Sequence, residues 1–151
     1  MTEISFYLVG DANTPAGADA MLPALLEKIL QSGHKAVVRC PDDKRLERLN
    51  EYLWSYAPES FLPHGAAADG HADKQPVYLT TQDENPGGAD ILVRLSGADA
   101  GDFSSYARVL DVFEGSEPQK DAARKRWKDL KDKGYPLIYW AREDGKWVKK
   151  A

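Results

Sequence analysis

A basic stripe with a tryptophan at its edge is the part of this 151-residue chain whose residue types best suit binding chemistry. Residues 120–133 hold seven Lys or Arg against three Asp, whereas residues 1–119 hold 9 Lys or Arg against 19 Asp or Glu. Such a stripe suits an acidic, partly apolar peptide, because the cations would hydrogen-bond carboxylates and the indole would anchor a side chain. At about 100° per residue, one helical sector contains the following residues: Lys120, Arg124, Trp127, Lys128 and Lys131.

The alternative interpretation of this stripe is an ordinary solvated helix face, which charge by itself would favour. Trp127 argues against that alternative, because surface helix faces seldom carry an indole with nothing to cover it. The opposite flank of the helix, residues 123–130 with one edge of Trp127, is expected to face the core. We therefore predict a peptide-binding helix rather than a small-metabolite site.

Composition excludes several other classes of protein. The one cysteine, Cys40, excludes a disulfide framework and a cysteine-based zinc site, and it fits a reducing, cytoplasmic setting. Glu3 stands where a signal peptide would be basic, and no run approaches the roughly 20 apolar residues of a membrane span. The net charge of −4 argues for little direct nucleic-acid binding and leaves any basic patch local. The length fits one domain over residues 1–151.

Hydrophobic periodicity predicts strands that alternate with helices. Strands are expected at residues 4–9, 35–39, 77–80, 90–95 and 106–113. Helices are expected at residues 22–30, with Gly33 as a stop, after a cap at Asp42 or Asp43, and over the basic segment. Residues 63–75 read as a mobile loop, and residues 137–140 and 146–148 as a hairpin around Asp144-Gly145. This alternation predicts an α/β fold with a mostly parallel or mixed sheet and helices on its faces.

A search for catalytic chemistry finds no constellation that would support it. Residues 10–17 match neither a P-loop nor a dinucleotide fingerprint. The histidines His34, His64 and His71 lack metal-ligand spacing, and no nucleophile comes with a base and an orienting group. Cys40 is best explained as a small buried residue. We therefore predict a non-enzyme with no catalytic residue, no metal and no cofactor.

Residues 53–63 form a second unusual segment, at the end of a helix and in the loop beyond it. A core position explains Leu53 and is one alternative for Trp54, but Tyr56 and Phe61 are harder to bury in the same core. Aromatic clusters in loops are common at binding hot spots. The segment is therefore interpreted either as core or as a second protein-binding surface.

These residues together resemble the chi subunit family of the bacterial DNA polymerase III holoenzyme, which are accessory proteins of the clamp loader. The resemblance runs over nearly the whole chain, and the stretch from Trp54 to His64 is its most specific piece. The matching pieces are residues 4–8, Leu53-Trp54, residues 58–64, Pro76-Val77, residues 90–93, Phe103, residues 123–128 and Gly134-Tyr135.

The resemblance implies a Rossmann-like, non-catalytic adaptor that works in DNA replication within the replisome and its nucleoid. It would link the clamp loader to the single-stranded-DNA-binding protein by holding that protein's acidic, Phe-terminated C-terminal tail. The surface for the psi subunit or another clamp-loader component would include Trp54 and Phe61, and a helicase is an alternative partner for it. The family's tail-binding positions correspond to Phe113, Lys120, Arg124, Trp127 and Lys128.

One of these positions departs from the family pattern. The aromatic tail-binding position is usually a tyrosine, so Trp127 keeps the ring and loses the phenol hydroxyl.

Two other functions stay open. A small nucleotide-binding α/β enzyme would need a phosphate-cradling loop at residues 10–17. Direct binding of single-stranded DNA through the basic helix would need several stacking aromatics, of which Trp127 is one.

Overall fold

The computed structural model describes residues 2–8, 22–55, 65–66, 76–95, 98, 103, 105–113, 117–143 and 146–150. Several residues singled out in the sequence lie outside this part of the chain: the loop at 10–17, Tyr56, Phe61, His64, His71 and the turn Asp144-Gly145.

The described residues form three helices and one eight-stranded sheet. The sheet order is β3-β4-β2-β5-β6-β1-β7-β8, and every neighbouring pair is parallel except the antiparallel pair β7-β8. The predicted α/β class, the mostly parallel sheet and the C-terminal hairpin are confirmed. The helices are α1 (Leu22–Gln31), α2 (Asp43–Ser55) and α3 (Glu117–Asp132). The strands are β1 (Glu3–Leu8), β2 (Ala36–Arg39), β3 (Gly65–Ala66), β4 (Val77–Thr80), β5 (Ile91–Leu95), β6 (Arg108–Phe113), β7 (Leu137–Glu143) and β8 (Lys146–Lys149).

The predicted loop at residues 63–75 is wrong at one place. Gly65 and Ala66 form the short strand β3, which runs parallel to β4 beside Tyr78 and Leu79. The sequence missed this strand because two small residues carry no periodicity, and their pairing depends on a neighbouring strand that is distant in sequence.

The ends of the helices follow from local chemistry. The Asp42 carboxylate accepts a hydrogen bond from the backbone N–H of Arg45 at 2.7 Å, so Asp42 caps α2. Gly33, at φ +82°, and Gly134, at φ +86°, follow α1 and α3 in the left-handed conformation that glycine adopts without strain. The backbone N–H of Tyr135 reaches back to the carbonyl of Leu130 at 3.2 Å, which closes the last turn of α3.

The core consists of two layers, one on each face of the sheet. On one face, Leu26 of α1 and Leu49 of α2 pack with Val38 and other strand residues. On the other face, Ala123 of α3 packs with Phe6 and other residues from neighbouring strands. Strands β2 and β4 are buried at every position, as expected for parallel strands covered on both sides. The basic helix α3 therefore lies on the face opposite α1 and α2.

A basic and aromatic pocket beside α3

A pocket of about 410 Å³ opens between α3 and strands β6, β1 and β7. Its floor is apolar and its α3 side carries two cations. The side chains that line it are Phe6, Leu8, Phe113, Lys120, Ala123, Arg124, Trp127 and Tyr139.

Strand register brings the floor of the pocket together. In the parallel sheet, Leu8 of β1 lies beside Phe113 of β6, and Phe6 lies beside Tyr139 of β7. Alternate residues of a strand share a face, so these four side chains all point toward α3. On the helix, Ala123 is only 4% exposed, and its small side chain lets α3 approach the sheet closely.

Aromatic rings fix the shape of this floor. The Trp127 ring lies 5.4 Å from the Phe6 ring and 6.2 Å from the Tyr139 ring, in both cases edge to face. The Phe113 ring contacts the same cluster, 6.1 Å from Tyr139. Such geometry is favoured by the ring quadrupoles, so the indole is a packed, half-buried wall of the pocket rather than a free surface side chain.

The charged rim comes from one turn of α3. Lys120 and Arg124 lie four residues apart and therefore on the same face of the helix. Arg124 Nη1 donates to Asp121 Oδ1 at 2.8 Å, and both side chains are more than half exposed. Burial raises the pKa of Tyr139, while the charges of Arg124 and Lys150 act to lower it. The Tyr139 phenol therefore stays neutral at pH 7 and keeps a hydroxyl that can donate a hydrogen bond.

A buried ion pair holds α3 against the sheet below the pocket. Arg126 donates from Nε and Nη2 to the two carboxylate oxygens of Asp111, at 2.7 and 2.8 Å. Asp111 is 2% exposed and also accepts from Arg94 Nη1 at 3.3 Å. The guanidinium of Arg126 lies 5.9 Å from the centre of the Phe6 ring. One cation of the basic segment is thus an anchor for the helix, not a surface charge.

The structure places the sequence-predicted site residues in three groups. Phe113, Lys120, Arg124 and Trp127 line the pocket together, whereas Lys128 is exposed on α3 and does not line it. Trp54 belongs to α2, on the other face of the sheet, and Phe61 lies outside the described residues.

Sequence reasoning missed four lining residues: Phe6, Leu8, Tyr139 and Ala123, of which Ala123 was expected to face only the core. Strand alternation was the signal that could have paired Phe6 with Leu8 on one face of β1. Nothing in the sequence alone places β7 beside β1, so Tyr139 could not have been assigned to the site.

Fold and site together define an α/β domain with a surface pocket that has an apolar, aromatic floor and two cations on its α3 side. Across the described ranges, no three His, Cys, Asp or Glu side chains group as metal ligands. Within the same ranges, no helix has the length and apolar character to cross a membrane.

Comparison with known proteins identifies the family. The family model "DNA polymerase III chi subunit, HolC" matches residues 1–138, so the chain belongs to the DNA polymerase III chi subunit family, a family of replication proteins. DNA polymerase III subunit chi of Escherichia coli is 30% identical over 141 residues, covering 91% of this chain and 96% of that protein. The Pseudomonas aeruginosa subunit chi is 27% identical over 137 residues, covering 91% of this chain and 94% of that protein. A probable subunit chi of Rickettsia prowazekii is 36% identical over 90 residues, covering 60% of this chain and about half (54%) of that protein.

Proposed function

We propose that this protein is a non-catalytic adaptor of the DNA polymerase III holoenzyme that binds the single-stranded-DNA-binding protein. The acidic, Phe-terminated C-terminal tail of that protein would occupy the pocket beside α3. The observation that carries the proposal is the placement of two cations, Lys120 and Arg124, directly above an apolar aromatic floor. A C-terminal phenylalanine offers a ring and a carboxylate within a few ångströms of each other, which is the same juxtaposition.

The chemistry of the pocket supports each part of such a ligand. The terminal ring would contact Phe113, Trp127 and Tyr139, and burying it is worth roughly 2 kcal/mol. The terminal carboxylate would accept charge-assisted hydrogen bonds from Arg124 and Lys120, and such bonds are about twice as strong as neutral ones. Acidic residues earlier in the tail would face the remaining cations of α3, such as the exposed Lys128.

A link to the clamp loader needs a second surface, and the placement of α2 supports one. Trp54 belongs to α2, which packs on the sheet face opposite the tail pocket. A partner such as the psi subunit, another clamp-loader component or a helicase could bind there while the tail pocket is filled. The two interactions would then be independent.

The tail interaction is tested by fluorescence anisotropy with a labelled acidic peptide that ends in Phe. The matched control is the same peptide with an amidated C-terminus, which keeps the ring and removes the terminal charge. We expect saturable binding of the free-acid peptide, much weaker binding of the amide, and loss of affinity as salt screens the cations. Equal affinity for the two peptides would refute the carboxylate assignment.

The second surface is tested by Phe61→Ala in the full chain. If Phe61 anchors a partner, this variant keeps its melting temperature and its tail affinity but no longer captures psi or another clamp-loader component. If Phe61 is core, the truncation costs about 3–5 kcal/mol and lowers the melting temperature sharply. A large melting shift with unchanged partners would rule out this surface.

A further inference from the structure

A second groove, of about 600 Å³, lies on the sheet face opposite α3. It runs between α1 and the strands β6, β1 and β7. Ile29 of α1 and Leu110 of β6 form its apolar base, and Tyr7 and Trp140 stand along its strand side. Tyr7 and Trp140 are direct neighbours in the register of β1 and β7, and both are half-buried.

The groove exists because this part of the sheet has no helix above it in the described chain. Parallel strands are normally covered on both faces. Helix α3 covers one face of β1, β6 and β7, while on the other face α2 packs against β4 and α1 stands at the side of the groove. Tyr7 of β1 packs against the cluster that contains Leu26 of α1, and among the described residues the groove is open from there to Trp140 of β7. One more helix would therefore fit on this face of the sheet, beside α1.

The groove is also cationic. Lys28 of α1 and Arg108 of β6 both line it, and no described residue that lines it is a carboxylic acid. Lys149 of β8, exposed and paired in register with Trp140, adds a third cation on the same face. Burial raises the pKa of Tyr7, Arg108 acts to lower it, and Glu3 opposes Arg108 with a smaller effect. At Tyr7 the field of Arg108 thus outweighs that of the neighbouring carboxylate.

We infer that this groove binds an acidic amphipathic helix of a partner protein. The apolar stripe of the helix would pack on Tyr7 and Trp140, and its carboxylates would meet Lys28 and Arg108. A helix is about 10 Å across, which is the thickness of one helical layer on a sheet. Helices that dock in grooves commonly use such a combination of apolar anchors and flanking charges. Because the groove and the pocket beside α3 lie on opposite faces, both can be filled at once.

The test uses a fluorescein-labelled synthetic helix of about 18 residues, with Leu and Phe at i, i+3, i+4 and i+7 spacing and Glu elsewhere. The matched probe replaces every Glu by Lys. Anisotropy titrations compare the native protein with Arg108→Glu, Trp140→Ala and, as the control in the other pocket, Arg124→Glu. Arg108 is exposed but lies beside Glu3 in the sheet, so Arg108→Glu sets two carboxylates side by side and should cost up to about 1 kcal/mol, which a melting curve checks for each variant.

We expect the Glu peptide to bind the native protein at least about tenfold more tightly than the Lys peptide. Arg108→Glu should weaken binding of the Glu peptide at least about tenfold and strengthen binding of the Lys peptide. Arg124→Glu should change the affinity for either peptide by no more than about twofold. Equal binding to the Arg108→Glu variant, or a loss only in Arg124→Glu, would overturn the inference. Three other results would also overturn it. One is a concentration-dependent dimer that Trp140→Ala abolishes, and another is competition by oligodeoxythymidine. The third is peptide binding that appears only after residues 11–19 are deleted.

Discussion

Arg124→Ala tests the proposal that the pocket beside α3 binds a carboxylate. Arg124 lines the pocket and already donates to Asp121 at 2.8 Å. A bound tail would therefore exchange one carboxylate partner for another rather than bind a free guanidinium. The substitution removes the cation and leaves the aromatic floor, since the rings of Phe6, Trp127 and Tyr139 contact one another.

The expected loss follows from two opposing contributions. A hydrogen-bonded charge contact to a ligand is worth about 1.5–3 kcal/mol. To bind the tail, the native protein must also break the exposed ion pair between Arg124 and Asp121, which costs about 0.2–1 kcal/mol. The variant has no such pair to break, so its loss is smaller by that amount. The net loss for Arg124→Ala is about 2 kcal/mol, or roughly 30-fold in affinity.

Anisotropy with the Phe-terminated peptide measures this loss, and Lys125→Ala is the matched control. Lys125 is the next residue of α3, is exposed and does not line the pocket, so its removal changes net charge equally but should cost less than about threefold. Asp121→Asn should strengthen binding by up to about fivefold in the native background and have no effect in the Arg124→Ala background.

Equal losses for Arg124→Ala and Lys125→Ala would show that α3 attracts the tail only through its overall charge. Affinity that does not fall with salt would refute a contact between exposed charges. An effect of Asp121→Asn that persists without Arg124 would refute the exchange of partners. Each result would leave the pocket in place and reject the proposed role of the guanidinium.

Four further predictions follow from the fold and the site. Trp127→Ala should lower the free energy of unfolding by about 2 kcal/mol, because a half-buried indole loses two edge-to-face contacts, and Trp127→Tyr should retain most of the stability in thermal melts. Asp111→Asn should cost about 3 kcal/mol in urea unfolding, since it leaves two arginines without their buried counter-charge. Burial acts to raise the pKa of Asp90, but hydrogen bonds from the Lys35 N–H and from His34 outweigh it and hold that pKa below its usual range. Asp90→Asn should therefore destabilise the protein most above about pH 4, and progressively less as the pH falls through the lowered pKa. ATP, GTP and NAD should produce no thermal shift, because the sequence offers no phosphate-cradling loop.

Each of the last three predictions has a result that would contradict it. Asp121→Asn, at an exposed pair, should cost less than about 1 kcal/mol, and a cost equal to that of Asp111→Asn would contradict the anchoring role of the buried pair. A stability difference for Asp90→Asn that does not change with pH would show that the carboxylate is not held in its charged form. A saturable shift of several degrees with any nucleotide would favour the nucleotide-binding enzyme.

Local patterns of residue types were enough to place most helices and strands of this protein. Periodicity placed β1, α1, α2 and the basic helix α3 close to their observed bounds, because each pattern reports how a short segment buries one face. The alternation of these elements was sufficient for the α/β class. The two-residue strand β3 was missed, since its existence depends on pairing with β4 rather than on its own residues.

Which of these helices and strands contact one another follows from long-range packing. The cations of the pocket beside α3 were visible in the sequence because Lys120 and Arg124 share one helix turn. Its floor was not, because Phe6 and Tyr139 are distant in the chain and become neighbours only when β7 pairs with β1. The same reason hid the role of Arg126, whose charge matches the rest of the stripe but whose guanidinium is fixed on Asp111. Strand order and the packing of a helix on a sheet are long-range properties, and a local pattern of residue types carries no information about them.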